Sequence, residues 1–187
     1  IQFSSLNIDN QFIELANEVD EAIKNYAIFD RKEFGKIYAL EIDGFGNALF
    51  MDDANVPNLL SIPYLGYTSY HDEVYKNTRK FSLSTANPWF NEGKFAKGIG
   101  GPHVGENKIW PLGLIMQALT TDDDEEIFYC LKTLKNTHSG TGFIHESFDV
   151  NNPKDFSRSW FAWANTLFGE LILHLYEKKP EILKSKF

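Results

Sequence analysis

The stretch Ile109-Trp-Pro-Leu-Gly-Leu-Ile-Met-Gln-Ala-Leu119, followed by Thr121-Asp-Asp-Asp-Glu-Glu-Ile-Phe-Tyr-Cys-Leu-Lys-Thr-Leu134, decides the fold class. The first segment is helical in pattern. The second opens on Thr121 and three aspartates, which favour a helix N-terminus, and carries Ile127, Cys130, Leu131 and Leu134 on one stripe. Two helices joined by a short turn make a helical hairpin. Upstream, Ile8, Phe12, Leu15, Val19, Ile23 and Tyr26 recur at three- and four-residue steps, so an amphipathic helix is expected over about 8–29. Further helices are expected over 55–65, with Asn55 as N-cap and Pro57 in the first turn, and over 72–83. A long final helix is expected with Ser157 as its cap and Trp160, Phe161, Ala164, Phe168, Leu171 and Leu175 on one side. The stretch Lys36-Ile-Tyr-Ala-Leu-Glu-Ile-Asp43 has strand character and runs into Gly44-Phe-Gly-Asn47, which predicts a short β-hairpin or extended arm. The class is therefore mainly α, with helical hairpins stacked so that long, aromatic-rich loops gather at one end.

The chain has 187 residues, enough for one domain with a sizeable core, and neither a repeat nor an interdomain linker is visible. Acidic residues outnumber basic ones by 26 to 18, so the net charge is −8. No Lys/Arg cluster stands out against that balance, which argues against a nucleic-acid partner. The single cysteine, Cys130, excludes an intrachain disulfide and a Cys-rich zinc site and reads as a buried structural thiol. No apolar run approaches the length of a membrane span. With no Asn-x-Ser/Thr sequon and one cysteine, the chain is expected in the cytoplasm. Its opening at Ile1 rather than Met predicts truncation or processing.

Four segments could carry chemistry. Glu146 lies in Gly140-Thr-Gly-Phe-Ile-His-Glu-Ser-Phe-Asp149, between a glycine-flanked turn and aromatic neighbours, and just ahead of Phe156-Ser-Arg-Ser-Trp-Phe-Ala-Trp-Ala-Asn165. Acid, His, Arg and Trp so close together suit a sugar site, since flat rings stack on pyranose faces while charged and amide groups take hydroxyls. A carboxylate held there can act as a general base, although Glu146 also reads as part of a polar helix start. His145-Glu146 is not His-Glu-x-x-His, so no metal is expected. Arg158 and Trp160 belong to the same constellation, with one of Trp160 and Trp163 expected as plain core. Asp52 and Asp53 with Asn55 could recognise vicinal hydroxyls, or simply favour a helix N-terminus. His103, after Gly98-Ile-Gly-Gly-Pro102, is either a ligand contact or a satisfied loop histidine, and Trp110 either a core plug or a sugar platform. The acid run Asp122-Asp-Asp-Glu-Glu126 reads as a solvated first turn, and Lys178-Lys-Pro-Glu-Ile-Leu-Lys184 as a solvated tail.

At Met51-Asp-Asp-Ala-Asn-Val-Pro57, Gly98-Ile-Gly-Gly-Pro-His103, Ile109-Trp-Pro111, Thr141-Gly-Phe-Ile-His-Glu-Ser-Phe148 and Trp160-Phe-Ala-Trp-Ala-Asn165, the chain resembles glycoside hydrolase family 125. Arg79 in Asn77-Thr-Arg79 and Asn87-Pro88 fit the same pattern, and the resemblance spans about 36–173. It implies an inverting exo-α-1,6-mannosidase on an (α/α)6 toroid of helical hairpins, with no cofactor or metal and a mannose-containing oligosaccharide as substrate. Glu146 matches the family's general base. Asp52, Asp53, Asn55, His103, Trp110, His145, Arg158 and Trp160 fall in or beside stretches that line its pocket. The family's general acid lies in an Arg-Pro-Ser-Asp-Asp-type motif, and no such motif occurs here. Residues 1–187 are therefore expected to be one truncated catalytic domain, about half a toroid. Uncovered inner helix faces should then leave an apolar patch that pairs with the missing N-terminal half or with a second copy. The alternative is a non-catalytic glycan-binding or interaction module derived from such an enzyme.

Overall fold

The computed structural model describes residues 10–187. The expected first helix is seen as α1 (Asn10–Tyr26), while position 8 lies outside the described residues. It ends sooner than expected, because Ile28 and Phe29 enter a strand. β1 (Ile28–Arg31) pairs antiparallel with β2 (Gly35–Tyr38). The hairpin anticipated at Gly44–Asn47 follows: β3 (Glu41–Ile42) pairs with β4 (Ala48–Leu49), and Asp43 closes the turn by accepting from the Phe45 and Asn47 amides.

No helix forms over 55–65, contrary to expectation; the segment is a series of turns. Its amides are claimed by side chains instead. Asn58 N–H donates to Ser61 Oγ, Ser61 N–H to Asn58 Oδ1, and the Leu59 and Leu60 amides to the Asp52 carboxyl. Such local bonds compete directly with the helical ladder. α2 (Glu73–Ser82) comes next and packs on β2. Asp72 caps it, accepting from Tyr75 N–H at 2.9 Å. Asp72→Ala should cost about 1 kcal/mol of unfolding free energy, read from urea denaturation.

β5 (Phe90–Glu92) and β6 (Lys97–Ile99) form a second small hairpin inside the long loop. β7 (Lys108–Ile109) then leads into α3 (Pro111–Leu119), whose residues 111–118 are all buried. A helix buried on every side and apolar but for Gln117 is a core element, and α3 packs against both remaining long helices. One is α4 (Asp124–Thr137), its partner in the expected hairpin, where Asp123 caps by accepting from the Glu125 and Glu126 amides. The acid run is thus a capped, solvated first turn. Cys130 sits wholly buried on the inner stripe of α4, and burial pushes its thiol well above the usual range.

After α4, β8 (Ser147–Asp149) joins β7 on one side and β9 (Phe156–Ser157) on the other. The last long helix, α5 (Ala162–Lys178), begins five residues beyond the expected cap. Ser157 is a strand residue opposite Ser147, Arg158 adopts a positive φ of 46°, and Phe161 takes the N-cap position with extended geometry. Asn165 ties the helix start by donating to the Ile144 and Phe161 carbonyls and accepting from Ile144 N–H. The C-terminal run is not a free tail either. It folds into α6 (Pro180–Leu183) with Ile182 buried, and Lys179 pairs with Asp124.

One face of the molecule remains uncovered. No residue of α1 is buried, and Phe12, Ile13 and Leu15 are each at least half exposed, as are Leu173 and Tyr176 on α5. Among the described residues no helix is long and apolar enough to cross a membrane.

Candidate active site

The three-stranded sheet β7-β8-β9 and the start of α5 hold the candidate site. Glu146 immediately precedes β8, with its amide bonded to the Ser157 carbonyl at 3.2 Å. Its carboxylate is engaged at both oxygens. Ser157 Oγ donates to Oε2 at 2.8 Å, and Arg158 Nε lies 3.3 Å from Oε1. The Glu146 side chain is 14 % exposed and that of Arg158 66 %, so the acid is reachable from the surface but shielded by the guanidinium.

Beside this pair runs a wall of rings. Arg158 lies 5.6 Å from the Phe161 ring centre. Phe161 meets Trp110 edge-on at 6.1 Å and Trp163 at 6.3 Å, and Trp110 in turn meets His103 at 6.4 Å. The Asp53 segment closes the far end. Ala54 N–H donates to the Gly100 carbonyl, and the Asp53 side chain packs on Gly101. A Cβ at Gly100 would sit 2.1 Å from the Lys108 carbonyl oxygen, so only glycine lets β6 run this close to β7. Burial raises the Asp53 carboxyl above its usual range, opposed by the Asn55 amide at 2.7 Å and by the charge of His103.

The residues singled out from sequence therefore divide into two groups. Glu146, Arg158, His103 and Asp53 stand along the wall, with Asn55 half-buried next to Asp53. Asp52, Trp110 and His145 do not face outward as expected for sugar contacts. Asp52 is fully buried, with both carboxyl oxygens taken by the Leu59 and Leu60 amides at 2.9 and 3.1 Å. Trp110 is 5 % exposed and plugs the core behind the wall. His145 is buried in the segment just ahead of β8. It stacks on Phe156 with 3.8 Å between ring centres and bonds Thr141 Oγ1 through Nε2, and burial lowers its imidazole below the ordinary value. Trp160 is 56 % exposed in the extended segment before α5, not on the helix, and Trp163 is 43 % exposed.

Two site residues escaped the sequence reading. Ser157 was expected to cap a helix, and Phe161 to lie on its inner side. A signal for Ser157 does exist: Ser147-Phe148 and Phe156-Ser157 are mirror images about a turn, the pattern of an antiparallel pair with its serines on one face. Among the described residues no group of three or more His, Cys, Asp or Glu side chains could hold a metal ion.

Known proteins share this arrangement of elements. A metal-independent α-mannosidase from Streptococcus pneumoniae, solved as a non-productive substrate complex with α-1,6-mannobiose, superposes with a TM-score of 0.88 at 46 % identity, over 95 % of this chain and 43 % of that one. The Meiotically up-regulated gene 157 protein of Schizosaccharomyces pombe is 55 % identical over 170 residues, 90 % of this chain. The chain thus spans about a third of the yeast relative (33 %) and less than half of the streptococcal enzyme. Residues 2–173 match the model of the metal-independent α-mannosidases, and the chain belongs to that family, glycoside hydrolase family 125.

Proposed function

We propose that this chain carries the base side of an inverting exo-α-1,6-mannosidase. The observation that supports the reading best is the clamp on Glu146. A carboxylate fixed at both oxygens beside an aromatic wall is a pre-organised acceptor for the proton of an attacking water. In the proposed reaction Glu146 deprotonates that water as its oxygen bonds to C1 of the terminal mannose, on the face opposite the glycosidic oxygen. The C1–O bond to the leaving sugar breaks as a second, protonated carboxyl donates to that oxygen. The two acids must stand roughly 6.5–9.5 Å apart to leave room for the water. We assign the acid to residues outside 1–187, and the chain to part of a toroid whose remainder, or a second copy, covers the apolar faces of α1 and α5. Asp53, Asn55 and Arg158 would hold mannose hydroxyls, and His103, Phe161, Trp160 and Trp163 would contact the ring. The buried thiol of Cys130 fits a reducing compartment, and we place the protein in the cytoplasm on that reading.

Proton NMR of the intact gene product with α-1,6-mannobiose tests the proposal. The first mannose released should be the β-anomer; an initial α-anomer would overturn inversion. Given alone, residues 1–187 should bind the disaccharide without cleaving it. Turnover by these residues alone would place the acid within them. Binding without turnover by the intact product as well would establish the other reading, a glycan-binding module.

A further inference from the structure

We infer that Ser157 and Ser147 form a two-hydroxyl positioning relay that holds Glu146 ready to accept a proton. The inference rests on the reading of Glu146 as general base. Ser147 and Ser157 are direct partners in the β8–β9 pair, so their side chains share a face, and their Oγ atoms lie 2.8 Å apart. Ser157 Oγ in turn stands 2.8 Å from Glu146 Oε2. The direction of this chain follows from chemistry. A carboxylate only accepts, so the Ser157 hydroxyl donates its hydrogen bond to Glu146 while keeping its proton, and its oxygen is left to accept from Ser147. Ser147 is buried at 1 % exposure and Ser157 half-buried, so little water competes at the inner end. Both donors therefore point toward the negative charge.

The next residue completes the clamp. Arg158 has φ +46°, a conformation that L side chains rarely adopt, and it places the guanidinium over Oε1 immediately after the serine that serves Oε2. With Oε1 and Oε2 each held, the carboxylate cannot rotate, and the water it activates meets an oxygen of fixed position. Orientation of this kind acts on the chemical step rather than on ground-state binding.

Steady-state kinetics of the intact gene product on α-1,6-mannobiose test the inference. Ser157→Ala should lower kcat about tenfold with KM within about twofold, the scale of one hydrogen bond to a charged group. Ser157→Thr keeps the hydroxyl on a β-branched residue suited to a strand and should restore kcat to within about threefold. Ser147→Ala, one step removed, should show a smaller kcat loss and add little to Ser157→Ala in the double variant. Full kcat in Ser157→Ala, equal losses in the Ala and Thr variants, or a loss confined to KM would each overturn the relay. Glu146→Gln separates the two levels: if it still turns over normally, the base assignment itself falls. If it is inactive while Ser157→Ala is unimpaired, only the relay falls.

Discussion

A Glu146→Gln protein is expected to bind α-1,6-mannobiose almost as well as the parent and to hydrolyse it roughly 10²–10⁴-fold more slowly, the usual contribution of a general base. Glutamine matches glutamate in shape, so its carbonyl can still accept from Ser157, and the neighbouring rings of Phe161 and Trp163 are untouched. What disappears is the negative charge that takes a proton from water. Stability should change little. Arg158 loses its ionic partner, but that side chain is largely exposed and surface pairs contribute only about 0–1 kcal/mol. Calorimetric titration together with initial-rate assays reads both halves of the prediction. A normal rate would dismiss Glu146 as the base. A loss confined to affinity would instead make it a binding residue.

The region around Glu146 was also the most legible part of the sequence, for a physical reason. Gly140–Asp149 and Phe156–Asn165 combine turn glycines, rings and charges that no ordinary core segment needs, so composition alone marks the loop cluster. The α3–α4 hairpin is equally readable, since a mostly apolar helix followed by an acid-capped amphipathic one has few other ways to fold. The structure departs from expectation where side chains compete with the helical ladder for backbone groups or where a strand pairing claims the segment. At 55–65 Asn55 and Pro57 do read as a helix start, but Asp52, Asn58 and Ser61 take the amides a helix would use. At 157–161 the helical stripe continues upstream of the true start, but Ser157 is drawn into the sheet by Ser147 and Arg158 turns the chain with a positive φ. In both places helical propensity lost to other hydrogen bonds, and both adjoin the candidate site.

The same competition makes Asp52 the residue on which a pH experiment should act most strongly. Its carboxyl has no exposed surface, and burial pushes its pKa up to about 7. Hydrogen bonds oppose burial. Those from the Leu59 and Leu60 amides are well formed, whereas the nearby Ser82 hydroxyl has no aligned partner and carries less weight. In the unfolded chain this acid titrates near its ordinary value of about 3.9. Between about pH 4 and 7 the folded state therefore keeps a proton that the unfolded state has released. The stability from Asp52 is complete below about pH 4 and is lost as pH rises through about 7, on the order of 4 kcal/mol over the window. Asp52→Asn removes this titration but sets an amide NH2 against one of the two backbone donors, at a cost of about 1–3 kcal/mol. Near pH 4.5 the variant should melt well below the parent, and by pH 7.5 the gap should close or reverse, since only the parent pays to ionise a buried acid. Urea unfolding of both proteins at these two pH values isolates the effect, because every other titrating group is shared. A gap independent of pH would mean that Asp52 stays ionised throughout, its charge held by the two amides. Segment 52–60 also carries Asp53 and Asn55 to the wall. Loosening it at alkaline pH should therefore weaken mannobiose binding in the parent and spare the Asn variant, a link between fold and site that titration at pH 6 and 8 can read.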